Sequence, residues 1–192
     1  MSIFNFLKSD SSNSIEFKAI TIGNKKIEVH PYREQEALRD KYVVQDIYEI
    51  FGDISNIPFN EEKFIKNKKD IDTYNIVSAF NRNKQFTHFV SHIASKKIIG
   101  EIIIFPPNDT YINFDKNLKN TWIIEYYINK DYWNMGIMTN LLPVVVRVLK
   151  NQGIRNVAAV VDRLNLSSIR VLEKSEFKKI KEFDDLKDLY VI

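Results

Sequence analysis

The most informative segment of this chain is Tyr132-Trp133-Asn134-Met135-Gly136-Ile137-Met138-Thr139. It connects an apolar strand-like segment, Trp122 to Ile128, to an apolar segment with helical spacing that begins near Met138. A glycine turn between a strand and a helix presents several N–H groups to one point, because the first N–H groups of a helix have no partner within it. The helix dipole adds partial positive charge there, so the segment predicts a phosphate-binding turn. An ordinary turn with Gly136 in a left-handed conformation is the alternative.

The composition predicts one globular domain. A chain of 192 residues that is 44% hydrophobic and 28% charged is long enough and apolar enough to bury a core. The net charge of +3 mildly favours an anionic ligand, and no basic run is interleaved with aromatic residues, so we expect no nucleic-acid partner. The absence of cysteine excludes disulfides, thiolate metal sites and cysteine nucleophiles within the chain. No apolar run suggests a membrane span or a signal peptide, and we expect a cytoplasmic protein with no membrane contact.

The pattern of elements predicts a mixed α/β fold. A polar cluster near the start sets apart an N-terminal extension over residues 1–25, and one domain follows over residues 26–192. The predicted order is strand, helices, β-hairpin, strand, helix, strand, helix and two final strands. A helix must cross over between the strands Trp122 to Ile128 and Val157 to Val161, which makes that part of the sheet parallel. The segment Asn108 to Asn120 is predicted to be a polar loop.

The helical segments carry three further predictions. Apolar spacing between Glu61 and Phe80 predicts one or two amphipathic helices. The helix after Gly136 is predicted to end at Gly153, which has a C-terminal capping role. Pro143 should kink that helix, unless the helix starts late enough to put Pro143 in its first turn.

A second motif stands about thirty residues later. It reads Asn165-Leu166-Ser167-Ser168-Ile169-Arg170-Val171-Leu172-Glu173-Lys174. Asn165 lies where a helix N-cap belongs, so capping is the simplest interpretation. The alternative is that its side-chain amide binds a ligand lying beside the helix. Ser168 follows one turn later on a similar face, so both side chains can point into one cleft.

Together the two motifs resemble the GNAT superfamily of acyl-CoA N-acyltransferases, and specifically its RimJ/RimL-like branch of ribosomal-protein N-terminal acetyltransferases. That branch typically has a Tyr-Trp-x-x-Gly-x-(Ala/Met)-Thr turn. A helix and a strand follow, and then an Asn-x-x-Ser-Ile-Arg-Val-Leu-Glu-Lys helix. The match is long and specific over residues 165–174, and it extends more loosely from about Lys26 to the C-terminus. The resemblance implies a mixed, mostly antiparallel central sheet flanked by helices, with two strands splayed at the cofactor site.

The resemblance also implies that acetyl-CoA is the co-substrate, and it assigns roles to individual residues. The strand that ends at Tyr127 and Ile128 would pair with the pantetheine arm, and a backbone N–H there would polarise the thioester carbonyl. Asn165 would bond the pantetheine, and Ser168 would lie near the sulfur and protonate the departing thiolate. The pyrophosphate would be held by the backbone amides of Asn134, Met135, Gly136, Ile137, Met138 and Thr139.

The sequence departs from the family pattern at three places. Many relatives carry a tyrosine acid where this chain has Leu172, which leaves Ser168 as the candidate. The family glutamate of the central strand is displaced by two positions to Glu125, which keeps it on the same face of a strand. The helix after Asn165 lacks its usual closing glycine and ends in Ser175-Glu176-Phe177, so Glu176 must adopt an unfavourable turn.

Amine acyl transfer needs a base that removes a proton from the substrate ammonium. Glu125 is the first candidate, because it lies in an otherwise apolar strand where partial burial favours uptake of a proton. The alternative for Glu125 is a structural ion pair or a hydrogen bond to Tyr111 or another neighbour, and Glu101 is the second candidate for the base. His88 and His92 lie four residues apart on a predicted strand with no third ligand nearby, so no metal site is expected.

These features predict an N-acetyltransferase that moves the acetyl group of acetyl-CoA to a primary amine by direct attack in a ternary complex. The acceptor is either a protein N-terminus or a small amine, and the sequence does not choose between them. Two alternatives stay open, a non-catalytic acyl-CoA-binding module and an interaction domain without a nucleotide. The oligomeric state is equally open between monomer and homodimer.

Overall fold

The computed structural model describes residues 20–22, 26–31, 41–59, 63–65 and 87–192. Four α-helices of this part are α1 (Lys41–Phe51), α2 (Asp109–Phe114), α3 (Ile137–Asn151) and α4 (Leu166–Lys174). Short 3-10 helices cover Ile54–Asn56, Lys116–Asn120 and Lys130–Tyr132. The strands are β1 (Ile20–Ile22), β2 (Ile27–Pro31), β3 (Thr87–His92), β4 (Ile98–Phe105), β5 (Thr121–Ile128), β6 (Asn156–Asp162), β7 (Lys178–Glu182) and β8 (Lys187–Val191).

These strands form one sheet in the order β1-β2-β3-β4-β5-β6-β8-β7. Every neighbouring pair is antiparallel except β5 and β6, which are parallel and are connected through α3. A parallel pair needs a crossover connection, and α3 supplies it. The predicted mixed, mostly antiparallel α/β fold is therefore confirmed.

The parallel pairing of β5 and β6 is short. It joins Thr121 to Asn156, Trp122 to Val157 and Ile123 to Ala158, and it stops there. Both strands continue, β5 to Ile128 against β4 and β6 to Asp162 against β8. The two strands therefore diverge beyond Ile123 and leave a gap between them, as the resemblance implied.

Helices cover both faces of the sheet. Because successive side chains of β5 point to opposite faces, neighbouring residues of this strand contact different helices. On one face, α3 and α4 pack over a large apolar core that includes Ile124 and Leu141. On the other face, α1 covers a smaller core in which Phe51 meets Tyr127 edge-on, with ring centroids 5.6 Å apart. Glu125 and Tyr127 share the α1 face, whereas Tyr126 faces α4.

The prediction of a polar loop over Asn108 to Asn120 was wrong, because this segment contains α2 and a 3-10 helix. The polar residues act as caps: the Asn108 side chain accepts hydrogen bonds from the N–H groups of Thr110 and Tyr111, at 3.1 and 3.4 Å. The aromatic residues anchor the segment, with the Phe114 and Phe183 rings 4.5 Å apart. A helix of six residues is too short to give a readable apolar period.

Helix α3 begins directly after Gly136 and contains Pro143 in its interior. The sequence allowed a later start that would have put Pro143 in the first turn, and that alternative was wrong. Because proline has no N–H, the carbonyl of Thr139 lacks its usual helical donor. At the end of α4, Glu176 has a φ of +68°, so the unfavourable left-handed turn predicted for it is confirmed.

Strand β1 lies within the predicted N-terminal extension and pairs with β2 at the edge of the sheet. The boundary at residue 25 stays a prediction, and residues 1–19 lie outside the described part of the chain. The amphipathic helices predicted between residues 61 and 80 also lie outside it, except for residues 63–65. None of the described helices combines the length and the apolar character that a membrane crossing needs.

Candidate active site

The turn between β5 and α3 has the geometry of an open helix start. Gly136 is the N-cap of α3 and adopts a left-handed conformation, with φ +68° and ψ +18°. Asn134 is also left-handed, with φ +60°. The first hydrogen bond of the helix runs from the Asn140 N–H to the Gly136 carbonyl at 3.1 Å, and no side chain caps the first turn.

The backbone N–H groups of residues 134 to 139 donate no hydrogen bond to any other described part of the chain. The turn also lies at the surface, since Trp133 is 43% exposed and Met135 is 52% exposed. Consecutive N–H groups in a turn of this kind form a concavity that binds anions. The six residues of the predicted phosphate-binding turn are therefore brought together with unpartnered donors.

Two contacts hold this turn and the end of β5 in place, one to β5 and one to β4. The Trp133 indole N–H donates to the Ile128 carbonyl at 2.6 Å, and the Asn129 N–H donates to the Ile99 carbonyl at 2.8 Å. Strand β4 comes so close that a Cβ at Gly100 would lie 2.3 Å from the Tyr127 carbonyl oxygen, so only glycine fits there. The strand end is therefore held from the β4 side, while its other edge borders the gap.

Helix α4 begins on the opposite side of the gap. The Asn165 side-chain oxygen accepts the Ser168 N–H at 3.1 Å, so the predicted capping role of Asn165 is confirmed. The Ser168 hydroxyl and the Tyr126 hydroxyl are hydrogen-bonded at 2.7 Å. Ser168 therefore lies close to the divergent part of β5.

Tyr126 is a residue that the sequence reasoning missed. Its signal was its place in β5, one residue from Glu125 and therefore on the opposite face. Burial raises the pKa of Tyr126 to about 12, and the hydrogen bond between Tyr126 and Ser168 partly opposes this shift. The phenol therefore stays protonated at neutral pH and can act as a donor.

The α1 face of β5 carries a compact charged cluster. The Lys63 ammonium lies 3.1 Å from Glu125 Oε2 and 4.3 Å from the centroid of the Tyr127 ring. The Tyr127 hydroxyl donates to Glu125 Oε2 at 3.4 Å. Burial opposes the charge on Lys63, but the Glu125 carboxylate and its neighbours raise the pKa of Lys63 above its ordinary value. The ion pair left open for Glu125 as an alternative is thus present, with Lys63 as its partner.

Glu101 lies behind this cluster and is 2% exposed. Its Oε2 atom has no hydrogen-bond partner among the described residues. Burial raises the pKa of Glu101 to about 7, with Lys63 lowering it and Glu125 raising it. A carboxyl that titrates near neutrality is well matched to accepting a proton at physiological pH.

The described residues contain no group of three or more His, Asp or Glu side chains arranged to hold a metal ion. The side chains that the structure brings together around β5 are instead proton donors and acceptors. Glu125 and Glu101 lie on one face of the sheet, and Tyr126 and Ser168 lie on the other.

The sequence matches the model of the acetyltransferase (GNAT) family over residues 44–177. An acetyltransferase of the GNAT family from Bacillus anthracis is similar in structure, with a TM-score of 0.64, 16% identity and coverage of 87% of this chain and 94% of that one. A RimL ribosomal L7/L12 α-N-protein acetyltransferase in complex with coenzyme A gives a TM-score of 0.63 at 14% identity, covering 91% and 97%.

A third similar structure is a spermidine N-acetyltransferase chimera from Vibrio cholerae, with a TM-score of 0.58, 9% identity and coverage of 87% and 95%. At these identities the structural likeness establishes the fold alone. No curated protein matches the sequence.

Proposed function

The chain belongs to the acetyltransferase (GNAT) family, and from that premise we propose that it moves the acetyl group of acetyl-CoA to a primary amine. One observation carries the proposal. The pairing of β5 with β6 stops at Ile123 and Ala158, and the divergent strand then leads into a turn whose N–H groups have no partner among the described residues. The free edge of β5 and the anion site in the following turn can therefore bind two parts of one long, phosphorylated ligand.

The proposed placement of the cofactor follows this alignment. The amides of residues 134 to 139 hold the pyrophosphate, because a helix N-terminus favours negative charge. The free edge of β5 at Tyr127 and Ile128 pairs with the amide groups of the pantetheine arm. The Asn165 oxygen caps α4, and its Nδ2 group donates to a pantetheine carbonyl, which can only accept.

The proposed chemistry is a direct attack by the amine on the thioester carbon. A backbone N–H at the end of β5 stabilises the oxyanion that forms. The α1 face supplies the proton acceptor, for which Glu125 is our first assignment and Glu101 the second. Glu125 has a side chain that is 34% exposed and is therefore accessible to an ammonium, whereas Glu101 has the pKa near 7.

Lys63 bears on the choice between these carboxylates. Its ammonium pairs with Glu125, so an incoming substrate ammonium must share or replace that contact. Glu125→Gln and Glu101→Gln separate the two assignments. Loss of the base removes the rise in rate with increasing pH, whereas loss of a neighbour shifts that rise.

We further propose that the chain belongs to the RimJ/RimL-like branch. The motifs at residues 132–139 and 165–174 support this assignment. The acceptor is then a protein N-terminus or a small amine. Similar structures include a protein acetyltransferase and a polyamine acetyltransferase, so the comparisons favour neither class. A cytoplasmic location and a monomeric or homodimeric state remain predictions.

Calorimetry and an acceptor screen test this function. We expect acetyl-CoA to bind far more tightly than pantetheine, which lacks the pyrophosphate. The screen pairs peptides with free N-termini and their N-acetylated controls, together with spermidine and amino acids, and follows thiol release and product mass. No binding of acetyl-CoA would contradict the proposal, and binding without transfer would support the alternative of an acyl-CoA-binding module.

A further inference from the structure

We propose that Tyr126 donates the proton to the departing thiolate, with Ser168 as its hydrogen-bonded partner. The inference rests on the proposed acetyl transfer, and it assigns a catalytic role that the sequence motifs gave to Ser168 alone. It is carried by the position of the Tyr126 hydroxyl, which lies 2.7 Å from the Ser168 hydroxyl.

The location of Tyr126 places this hydroxyl at the gap. Tyr126 lies three residues beyond Ile123, where the pairing of β5 with β6 ends. Its side chain faces α4, and its hydroxyl also lies 3.4 Å from the Ser168 carbonyl oxygen. The phenol therefore bridges from the divergent strand to the helix on the other side of the opening through which a pantetheine arm would pass.

The chemistry at this position requires an acid. When the neutral amine nitrogen forms its bond to the acetyl carbon, the C–S bond breaks, its electron pair goes to sulfur, and the nitrogen loses its extra proton to solvent. The thiolate then takes a proton from the phenol, and the phenolate recovers a proton from solvent through the Ser168 hydroxyl. The position where many relatives carry an acidic tyrosine is Leu172, which is 0% exposed and has no proton to give.

Tyr126 is better suited to this step than Ser168. A phenol is a far stronger acid than an aliphatic hydroxyl, whose proton a thiolate cannot readily remove. The pKa of Tyr126, raised to about 12 by burial, keeps the donor protonated before the sulfur leaves. Ser168 is then the group that orients the phenol and relays its proton.

The first experiment measures the ionisation of the thiol of bound coenzyme A and needs no acceptor. The ultraviolet absorbance of the thiolate is followed against pH for wild type and Tyr126→Phe, with the desulfo-coenzyme A complex of each protein as the blank. A phenol that donates to the sulfur stabilises the thiolate, so we expect the apparent pKa of the thiol to rise by about one unit in the variant. Tyr190→Phe, which alters a buried tyrosine of β8 outside the gap, is the control and should leave the thiol unchanged.

The second experiment compares kcat with the KM for acetyl-CoA. We expect Tyr126→Phe to lower kcat by about 100-fold, in the range that general acid catalysis supplies, with KM nearly unchanged. Adding Ser168→Ala to Tyr126→Phe should lower kcat little further, because groups in one hydrogen-bond network are not additive.

Each outcome decides the inference. An unchanged thiol pKa together with weaker binding of coenzyme A would show that Tyr126 only braces β5 against α4, and would overturn it. If coenzyme A binds but no amine is acetylated, the proposed transfer fails while the thiol ionisation still decides the role of Tyr126. If coenzyme A does not bind at all, both proposals are overturned.

Discussion

Helices α3 and α4 both follow a strand that borders the gap, but they begin in different ways. Helix α3 starts at Gly136 with no side-chain cap, and the N–H groups of residues 134 to 139 have no partner in the described chain. Helix α4 starts at Asn165, whose side chain accepts the Ser168 N–H at 3.1 Å. An open helix start can receive an anion, whereas a capped one has already used its donor.

We propose that one ligand contacts both helix starts and that each start serves a different purpose. The open start of α3 is suited to the charged pyrophosphate, so variants of Gly136 should lower affinity. The start of α4 holds a hydroxyl pair, Ser168 and Tyr126, close to the divergent strand, so variants of this pair should lower turnover.

The largest effect is expected from Gly136→Asp, which closes the open start. The new carboxylate repels the pyrophosphate and strains a left-handed position, so the affinity for coenzyme A should fall by about 1,000-fold, or about 4 kcal/mol, in calorimetry. Gly153→Asp is the matched control, since Gly153 has a φ of +89° at the other end of α3 and open space around it. If the two variants bind coenzyme A equally well, the open start of α3 does not bind the pyrophosphate.

Unpartnered polar atoms cost little free energy at the surface, where water hydrates them, but much in the interior, where Glu101 lies. Glu101 has a pKa raised to about 7 from 4.5, so the folded state resists its ionisation. Stability should therefore fall as the pH rises from about 4.5 to about 7 and then level off. Glu101→Gln should remove this fall and be more stable than wild type at pH 8 by at most about 3 kcal/mol.

Urea denaturation at pH 4.5 and pH 8 measures this difference. The exposed Glu173 provides the control, because Glu173→Gln changes the same charge on the surface of α4 and should leave the pH dependence in place. A wild type and a Glu101→Gln variant with parallel stability curves would contradict the raised pKa of Glu101.

The features of the two helix starts could largely be predicted from the sequence, because each depends on interactions between residues close together in the chain. The left-handed Gly136, the cap at Asn165 and the end of α3 near Gly153 each depend on one residue type at one position. The gap between β5 and β6 was implied by the resemblance. The pair of Tyr126 with Ser168 was missed, since it joins residues 42 positions apart. Lys63 was missed as the partner of Glu125 for the same reason, because tertiary packing brings them together across 62 positions.

Ser168→Ala tests the capped end. The variant removes the hydroxyl that holds Tyr126 but keeps the backbone N–H that Asn165 caps. We expect kcat to fall by about 10-fold, or about 1.4 kcal/mol, with the affinity for acetyl-CoA nearly unchanged. Steady-state kinetics and calorimetry on the same preparation separate the two quantities, and a loss confined to affinity would move Ser168 from the chemistry to the binding site.

The smallest effect is expected from variants of Asn165, in which the oxygen and the nitrogen of the side-chain amide can be tested separately. Asn165→Asp keeps the oxygen that caps α4 but loses the amide donors, so stability should be retained while affinity for acetyl-CoA falls severalfold. Asn165→Ala loses both and should also lower stability by about 1 kcal/mol. Thermal unfolding and calorimetry distinguish the variants, and equal affinities for Asn165→Asp and wild type would leave Asn165 as a cap alone.

A crystal structure of the protein with bound coenzyme A would show directly whether the turn after β5 holds the pyrophosphate. We expect pyrophosphate oxygens about 3 Å from backbone nitrogens of residues 134 to 139, and the pantetheine arm along the free edge of β5 at Tyr127 and Ile128. A coenzyme A molecule bound elsewhere, with this turn still open to solvent, would contradict this expectation.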